Sequence, residues 1–253
     1  MNINIWTKRH FTKNSTIEWP CPNCSSQSLF IVKDKLFDFQ SAESKKMQEV
    51  EEFWDPEWLR FVFSGVLECK KCAECITFTG TGYPEESGYY DRDDDQYYTF
   101  LDEVFIPTFF QPTLRIFEFP KECPETLKNE ITDSFKLFWS DLPSCANKVR
   151  TALEILMNQE KVKRYTIKNG KKLQISLHNR ILKYKNKELS ELLLAIKWIG
   201  NTGSHIGNLE TIDILEAYKL LEYTLNKLYD NKERDIIKMS KEINKRKGLR
   251  KRK

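Results

Sequence analysis

The chain lacks any apolar run of the roughly 18 residues that a membrane-spanning helix requires; its best stretch, residues 192–200, is short and carries Lys197. No apolar core follows the charges of the opening MNINIWTKRHFTKNS, so a secretory leader is not expected. Neither an HExxH pair nor a P-loop or dinucleotide fingerprint occurs, which argues against an open zinc hydrolase site and against the common nucleotide folds. Low-complexity linkers are missing too, and nothing repeats beyond two cysteine pairs. What is there is 253 residues with 40% hydrophobic and 31% charged side chains. That is the make-up of a soluble globular protein with length for one large domain or two modest ones.

Seven cysteines are an odd count, and four of them form two Cys-x-x-Cys pairs, CPNC at 21–24 and CKKC at 69–72. Without a leader, that pattern reads as metal binding in a reducing, cytoplasmic compartment rather than as disulfides. Two residues between ligands let one tight turn present both sulfurs to a tetrahedral ion, and four soft thiolates select zinc, with iron as the main competitor. Cys21, Cys24, Cys69 and Cys72 are therefore the expected ligands of a closed, structural zinc site in a zinc-ribbon-like region. Cys75 leaves a second pairing open, Cys72 with Cys75 as CAEC. Cys69 with Cys72 is preferred, because residues 67–68 lead in as strand and Ala73-Glu74 complete the turn. Cys123 and Cys145 lack matching partners and read as ordinary small side chains.

The net charge of +4 conceals strong segregation. Residues 85–103 carry eight acids and one arginine, residues 147–185 eleven basic and two acidic side chains, and residues 231–253 eleven basic and three acidic. Basic blocks of this kind attract phosphate backbones. The run DRDDD at 91–95 has consecutive acids without alternating spacing, so it reads as an exposed loop, or as a mimic of nucleic-acid charge, rather than as a metal site.

Composition divides the chain near residue 120. The first part is rich in Phe, Tyr and Pro and holds short β-like runs at 28–32, 60–67 and 76–79, with a charged helical stretch over 41–53. Residues 97–120 are aromatic and punctuated by Pro107, Pro112 and Pro120, which disfavours a central strand or a helix interior and predicts extended chain packed across the other region. After Pro124 the period becomes helical: Leu127, Ile131, Phe135 and Phe138, then Val149, Ala152, Leu153 and Leu156. A turn at Asn169-Gly170 precedes a stripe of Leu173, Leu177, Ile181 and Tyr184, and another runs from Leu189 to the stop at Gly200. Ile214, Tyr218, Leu221, Leu225 and Leu228 step by 4, 3, 4, 3, an amphipathic helix that needs a partner face within the chain or across a dimer.

The most informative segment is AIKWIGNTGSHIGN at 195–208, where three of the nine glycines, Gly200, Gly203 and Gly207, surround Asn201 and His205. Such a loop lets backbone approach another chain or ligand closely. His205 can move a proton near neutral pH, with Asn201 or Lys197 holding a phosphate; equally, His205 and Asn201 can cap the preceding helix. Arg150 either pairs with Glu154 one helical turn on or contacts phosphate, and Arg180 beside His178 leaves the same choice. Lys148 and the lysines at 161–172 form a basic face.

The residues NKVRTALEILM at 147–157, LHNRI at 177–181 and AIKWIGNTGSH at 195–205 resemble domain-of-unknown-function family 4145, which is grouped with the HEPN (higher eukaryotes and prokaryotes nucleotide-binding) superfamily. The cysteine pairs and FIPTFFQPTLRIFEFP at 105–120 are similar to the amino-terminal part found with such domains. The resemblance implies a metal-independent ribonuclease built across a dimer. An arginine would stabilise the charged phosphorane while a histidine moves the proton during attack by the ribose 2′-hydroxyl. Asn201 and His205 match the polar residue and the histidine of that pattern, whereas the arginine position falls on Gly200; Lys197, Arg180 and Arg150 are the cations left to replace it.

The expected fold class is α+β: a small β-rich, zinc-ribbon-like region with its aromatic connector over 1–120, a HEPN-like α-helical bundle over 121–230, and a basic helix or tail over 231–253. His205, Asn201 and Lys197 are the expected catalytic residues, and Arg150, Arg180 and Lys148 the expected nucleic-acid contacts. The function that follows is nucleic-acid-associated, an RNase or RNA-binding effector in prokaryotic defence or stress response, acting as a homodimer. The alternative is a non-catalytic module for dimerisation and protein partners.

Overall fold

The structure is a computed structural model and describes residues 1–202, 209–230 and 232–247. After a short helix α1 (Asn4–Thr7), an antiparallel sheet is built around β3 (Phe61–Cys69). One edge of β3 is shared by β1 (Leu29–Ile31), opposite residues 67–69, and β2 (Phe37–Gln40), opposite residues 61–64. Its other edge pairs with β4 (Cys75–Asp91), and β4 pairs outward with β5 (Gln96–Gln111). Helix α2 (Ala42–Val50), capped by the Ser41 side chain, links β2 to β3.

Strict alternation decides which face is covered. Phe61, Phe63, Leu67 and Cys69 of β3 and Ile76 and Phe78 of β4 point inward, while Val62 and Thr77 point out. The inward positions 80 and 82 are glycines because β3's rings and the β5 backbone crowd them: a Cβ on Gly82 would stand 2.3 Å from the Phe61 ring, and one on Gly80 2.8 Å from the Phe63 ring and 2.0 Å from the Ile106 carbonyl.

Residues 97–120 do not behave as one extended connector. Most of the aromatic half, residues 97–111, belongs to the strand β5, and the chain tolerates Pro107 there for two reasons. β5 lies at the end of the sheet order, and Pro107 sits where the register shifts, with Thr79 opposite Phe109 but Gly80 opposite Pro107. Only residues 112–120 cross the helices, where Phe117 meets Phe135 at 5.1 Å and Tyr218 at 5.9 Å between ring centroids.

The helices are α3 (Glu125–Leu137), α4 (Leu142–Gln159), α5 (Leu177–Leu182), α6 (Lys187–Thr202), α7 (Thr211–Tyr229) and α8 (Lys232–Arg246). Asp141 caps α4 by accepting from the Ser144 N–H, with Pro143 in the first turn, and Glu210 and Asp213 form a capping box on α7. The apolar stripe of α7 is filled within the chain: Ile214, Tyr218, Leu221 and Leu225 are buried against the other helices. Between α4 and α5 the chain turns through a hairpin of β6 (Tyr165–Lys168) and β7 (Lys171–Gln174), which corrects the helical reading of Leu173. Asn169 and Gly170 take φ of 49° and 72°, the left-handed pair that a two-residue hairpin turn requires. Leu173 accordingly stands on β7 and is exposed.

The sheet and the helices share one continuous core. Its seam is Trp139 at the end of α3, whose ring lies 4.9 Å from Trp19, 4.7 Å from Phe110 and 6.3 Å from Trp6. Arg9 reinforces the seam, donating to the Trp139 carbonyl and, at 3.2 Å, to the Thr211 hydroxyl. Among the described residues no helix is long and apolar enough to cross a membrane.

Candidate metal centre and a cation pair in the bundle

Two identical turns build the cysteine site. In the first, the Ser25 N–H donates to the Cys21 carbonyl at 2.9 Å and the Cys21 N–H to the Ser26 carbonyl at 2.9 Å. In the second, the Ala73 N–H donates to the Cys69 carbonyl at 2.8 Å and the Cys69 N–H to the Glu74 carbonyl at 3.0 Å. The residue after each pair, Ser25 or Ala73, takes a left-handed φ, 57° and 58°, which folds the backbone back under the sulfurs. The β1–β3 pairing of Leu29 with Cys69 then brings the turns face to face.

The sulfurs of Cys21, Cys24, Cys69 and Cys72 all lie within 4.8 Å of one another and could hold a metal ion. Cys21 and Cys72 are 3.6 Å apart, as are Cys24 and Cys69. The exposed Cys75 stands outside this group, its thiol directed to the Ala73 carbonyl, so the CKKC pairing is the one the geometry adopts. Donors around the sulfurs favour the thiolate form. Burial pushes the Cys21 thiol up against the N–H groups of Cys24 and Asn23. At Cys69 burial acts in the same sense, but it is outweighed by the Ser28 hydroxyl at 3.2 Å and the N–H groups of Cys72 and Lys71, which bring that thiol down to about 6. Ser28 and Asn23, whose amide reaches Cys72 at 3.6 Å, are supports that the cysteine spacing does not announce. Cys123 and Cys145 are buried far from this cluster's chemistry; Cys145 lies 3.0 Å from the Tyr218 hydroxyl in the bundle core.

In the bundle, the residues singled out from the sequence separate into two groups. Lys148 faces α3 and pairs with Glu130 and Asp133 at 3.3 and 3.6 Å. Arg180 is 4% exposed and donates to the Asn158 side chain at 2.7 Å and the Val162 carbonyl at 2.9 Å, tying α5 to the stem of the β6–β7 hairpin. Both side chains are occupied in holding the fold.

Lys197 and Arg150 are brought together instead. Gly200, one turn after Lys197 on α6, is the contact point with α4: a Cβ there would lie 3.0 Å from Arg150 Cβ and 3.2 Å from the Ala146 carbonyl. Lys197 is only 7% exposed and has no carboxylate partner among the described residues. Burial first, and then the charge of Arg150, lowers its pKa. Its ammonium sits 3.4 Å from the centre of the Trp198 ring, and Trp198 in turn packs on His178 at 5.7 Å. The buried Nδ1 of His178 has no hydrogen-bond partner among the described residues. Arg150 also lies 3.5 Å from Glu154, so the ion-pair reading of that arginine holds, with both side chains part-exposed. Asn201 occupies the last turn of α6 and is half-buried; His205, Gly203 and Gly207 lie outside the described residues.

The crossing at Gly200 makes a direct prediction. Gly200→Val adds three carbons to a gap already at contact distance, so α4 and α6 must separate; a loss of about 1–3 kcal/mol is expected, read as a lower urea midpoint.

No curated protein and no solved structure matches the chain. Two family models do: residues 9–110, essentially the sheet, match the domain of unknown function DUF8608, and residues 132–246, from α3 to the end of α8, match the domain of unknown function DUF4145.

Proposed function

We propose that this protein is a nucleic-acid-associated, HEPN-like protein that takes an RNA phosphate at Lys197 and Arg150, with a structural zinc in the four-cysteine, zinc-ribbon-like site. The observation that carries the reading is the contact at Gly200. The family resemblance asks for an arginine at that position, yet α4 leaves no room for one, and the side chain that α4 brings against it is Arg150. Arg150 has Glu154 beside it, but the nearly buried Lys197 has no carboxylate of its own among the described residues, and a phosphodiester supplies that negative charge. Trp198 is 57% exposed at the same place; its ring carries the Lys197 ammonium in the free protein and becomes a surface for a base once that ammonium turns to the phosphate. His205 follows Asn201 by four residues and is the group that would move a proton between the 2′-hydroxyl and the leaving oxygen. RNA cleavage in defence or stress response is the corresponding activity, in a homodimer.

Labelled RNA titrated without added divalent metal tests this. Lys197→Ala and Arg150→Ala are each expected to weaken binding about tenfold, the loss of one charge-assisted contact. His205→Ala should bind as the wild type does and lose cleavage. Unchanged affinity in both cation variants would remove the site from the proposal. The alternative, a non-catalytic module for protein partners, is favoured by the exposed apolar side chains of α8, Ile236, Met239 and Ile243, and predicts no RNA binding by any variant.

A further inference from the structure

β4 and β5 run on past the sheet. The last pair between β3 and β4 is Phe61 with Gly82; beyond it, nine further pairs from Tyr83–Val104 to Asp91–Gln96 join β4 to β5 alone. At about 3.4 Å per residue this arm is roughly 30 Å long. A two-stranded ribbon in water is marginal by itself, yet this one exposes Tyr89, Tyr90, Tyr97 and Phe100 along with its acids. Its tip is ordered by its own side chains, with the Tyr90 and Tyr98 hydroxyls donating to Asp95 and Asp94.

Charge decides what such an arm can meet. Residues 85–103 carry eight acids against one arginine, so two arms repel each other and the partner has to be cationic. The chain itself carries a surface of the opposite kind: residues 161–174 hold six basic side chains and no acid. They comprise the β6–β7 hairpin and the four residues that lead into it, with Ile167 and Tyr165 exposed and Lys172 laid over the Tyr165 ring at 4.2 Å. Both elements are short ribbons with free strand edges and aromatic surface. Helix α8 is basic too, but it intersperses Glu233, Asp235 and Glu242 and has no strand edge to offer. Within one chain, no hydrogen bond or ion pair among the described residues joins residues 83–104 to residues 161–174.

We propose that the acidic, tyrosine-rich β4–β5 arm of one copy docks on the basic β6–β7 hairpin of a second copy, and the reverse, giving a reciprocal dimer with two equal charge-complementary contacts. Like-charge repulsion between arms and between hairpins sets the pairing, and salt weakens it.

Light scattering on the full chain at low and high ionic strength tests this with two variants that avoid the tip contacts and the Lys172–Tyr165 pair. One reverses the arm (Glu85→Lys, Glu86→Lys, Asp93→Lys, Asp102→Lys), taking residues 85–103 from −7 to +1, and the other the hairpin (Lys161→Glu, Lys163→Glu, Lys168→Glu, Lys171→Glu), taking residues 161–174 from +6 to −2. The wild type is expected at twice the monomer mass in low salt and at the monomer mass in high salt. Each variant alone is expected to be monomeric, and an equimolar mixture of the two should recover the dimer mass, since each then meets an opposite charge at both contacts. Recovery on mixing also shows that both variants are folded. A wild type that is monomeric in low salt, a dimer mass unchanged by either reversal, or a mixture that stays monomeric would each overturn the proposal. Hairpin reversal that lowers RNA affinity while leaving the mass unchanged would also overturn it and assign the hairpin to nucleic acid instead.

Discussion

Cys69→Ser is expected to release the metal proposed for the four-thiol centre and to unfold the half of the sheet that the centre ties together. Cys69 is the last residue of β3 and pairs with Leu29 of β1, so the ligand is also a structural member of the sheet. The turn that carries Cys21 and Cys24 lies between Trp19 and β1, with little regular structure of its own to hold it. Binding to four thiolates is therefore folding free energy for this region; for small structural zinc sites it is on the order of 10 kcal/mol. A serine hydroxyl does not replace a soft thiolate ligand. Metal content by elemental analysis should fall from one ion per chain towards none, and the melting temperature should drop with it. Cys75→Ser is the control: an exposed thiol outside the cluster, expected to leave both readings unchanged. Acidification should act in the same direction as the mutation, because each proton competes with the metal for a sulfur. Full metal retention in Cys69→Ser, or loss in Cys75→Ser, would mean that the ligand set is different.

Trp139→Ala is expected to cost about 3–5 kcal/mol, the range for removing a large buried aromatic side chain. The ring is 2% exposed and makes edge or tilted contacts with Trp6, Trp19, Phe110 and Phe138, so its removal opens a cavity where sheet and bundle meet. Arg9 also stacks near this ring and that of Phe138, and truncation takes away part of the surface on which it rests. Urea unfolding followed separately by sheet and helix signals should show the midpoint falling and the two signals parting company, because the joint core couples the halves. Trp139→Phe should be far milder: the indole N–H is buried without a hydrogen-bond partner among the described residues, so little polar bonding is lost. Phe53→Ala, at a side chain 85% exposed, should stay within about 0.5 kcal/mol. A Trp139→Ala midpoint no lower than that of Phe53→Ala would contradict the seam.

How far these features can be read without coordinates depends on their range along the chain. The Cys-x-x-Cys turns are local, and a turn of that length presents two sulfurs wherever it occurs, so the clustering of four cysteines and even the choice of Cys72 over Cys75 as partner of Cys69 are legible. The stripes of α3, α4 and α7 were legible for the same reason, since burial on a helix repeats every three or four residues. The β6–β7 hairpin is legible in principle: Asn-Gly between short runs is its strongest local signal, and Leu173 leaves the helical stripe because that period does not carry back from α5 into a strand. The long strand β5 was obscured by Pro107, which is acceptable only at an edge or a bulge, and neither property is visible before the partner strand is known.

By itself, then, the sequence determined the cysteine pairs, the helical stripes and caps, and the separation of an acidic block from two basic ones, because each follows from residues close together in the chain. Only the tertiary structure decided which charges are spent on the fold and which converge. Arg180 and Lys148 are held by Asn158, Val162, Glu130 and Asp133, while Arg150 meets Gly200 and Lys197 across a helix crossing. Such a crossing brings together residues some 50 positions apart, and its geometry depends on packing between whole helices rather than on any local spacing.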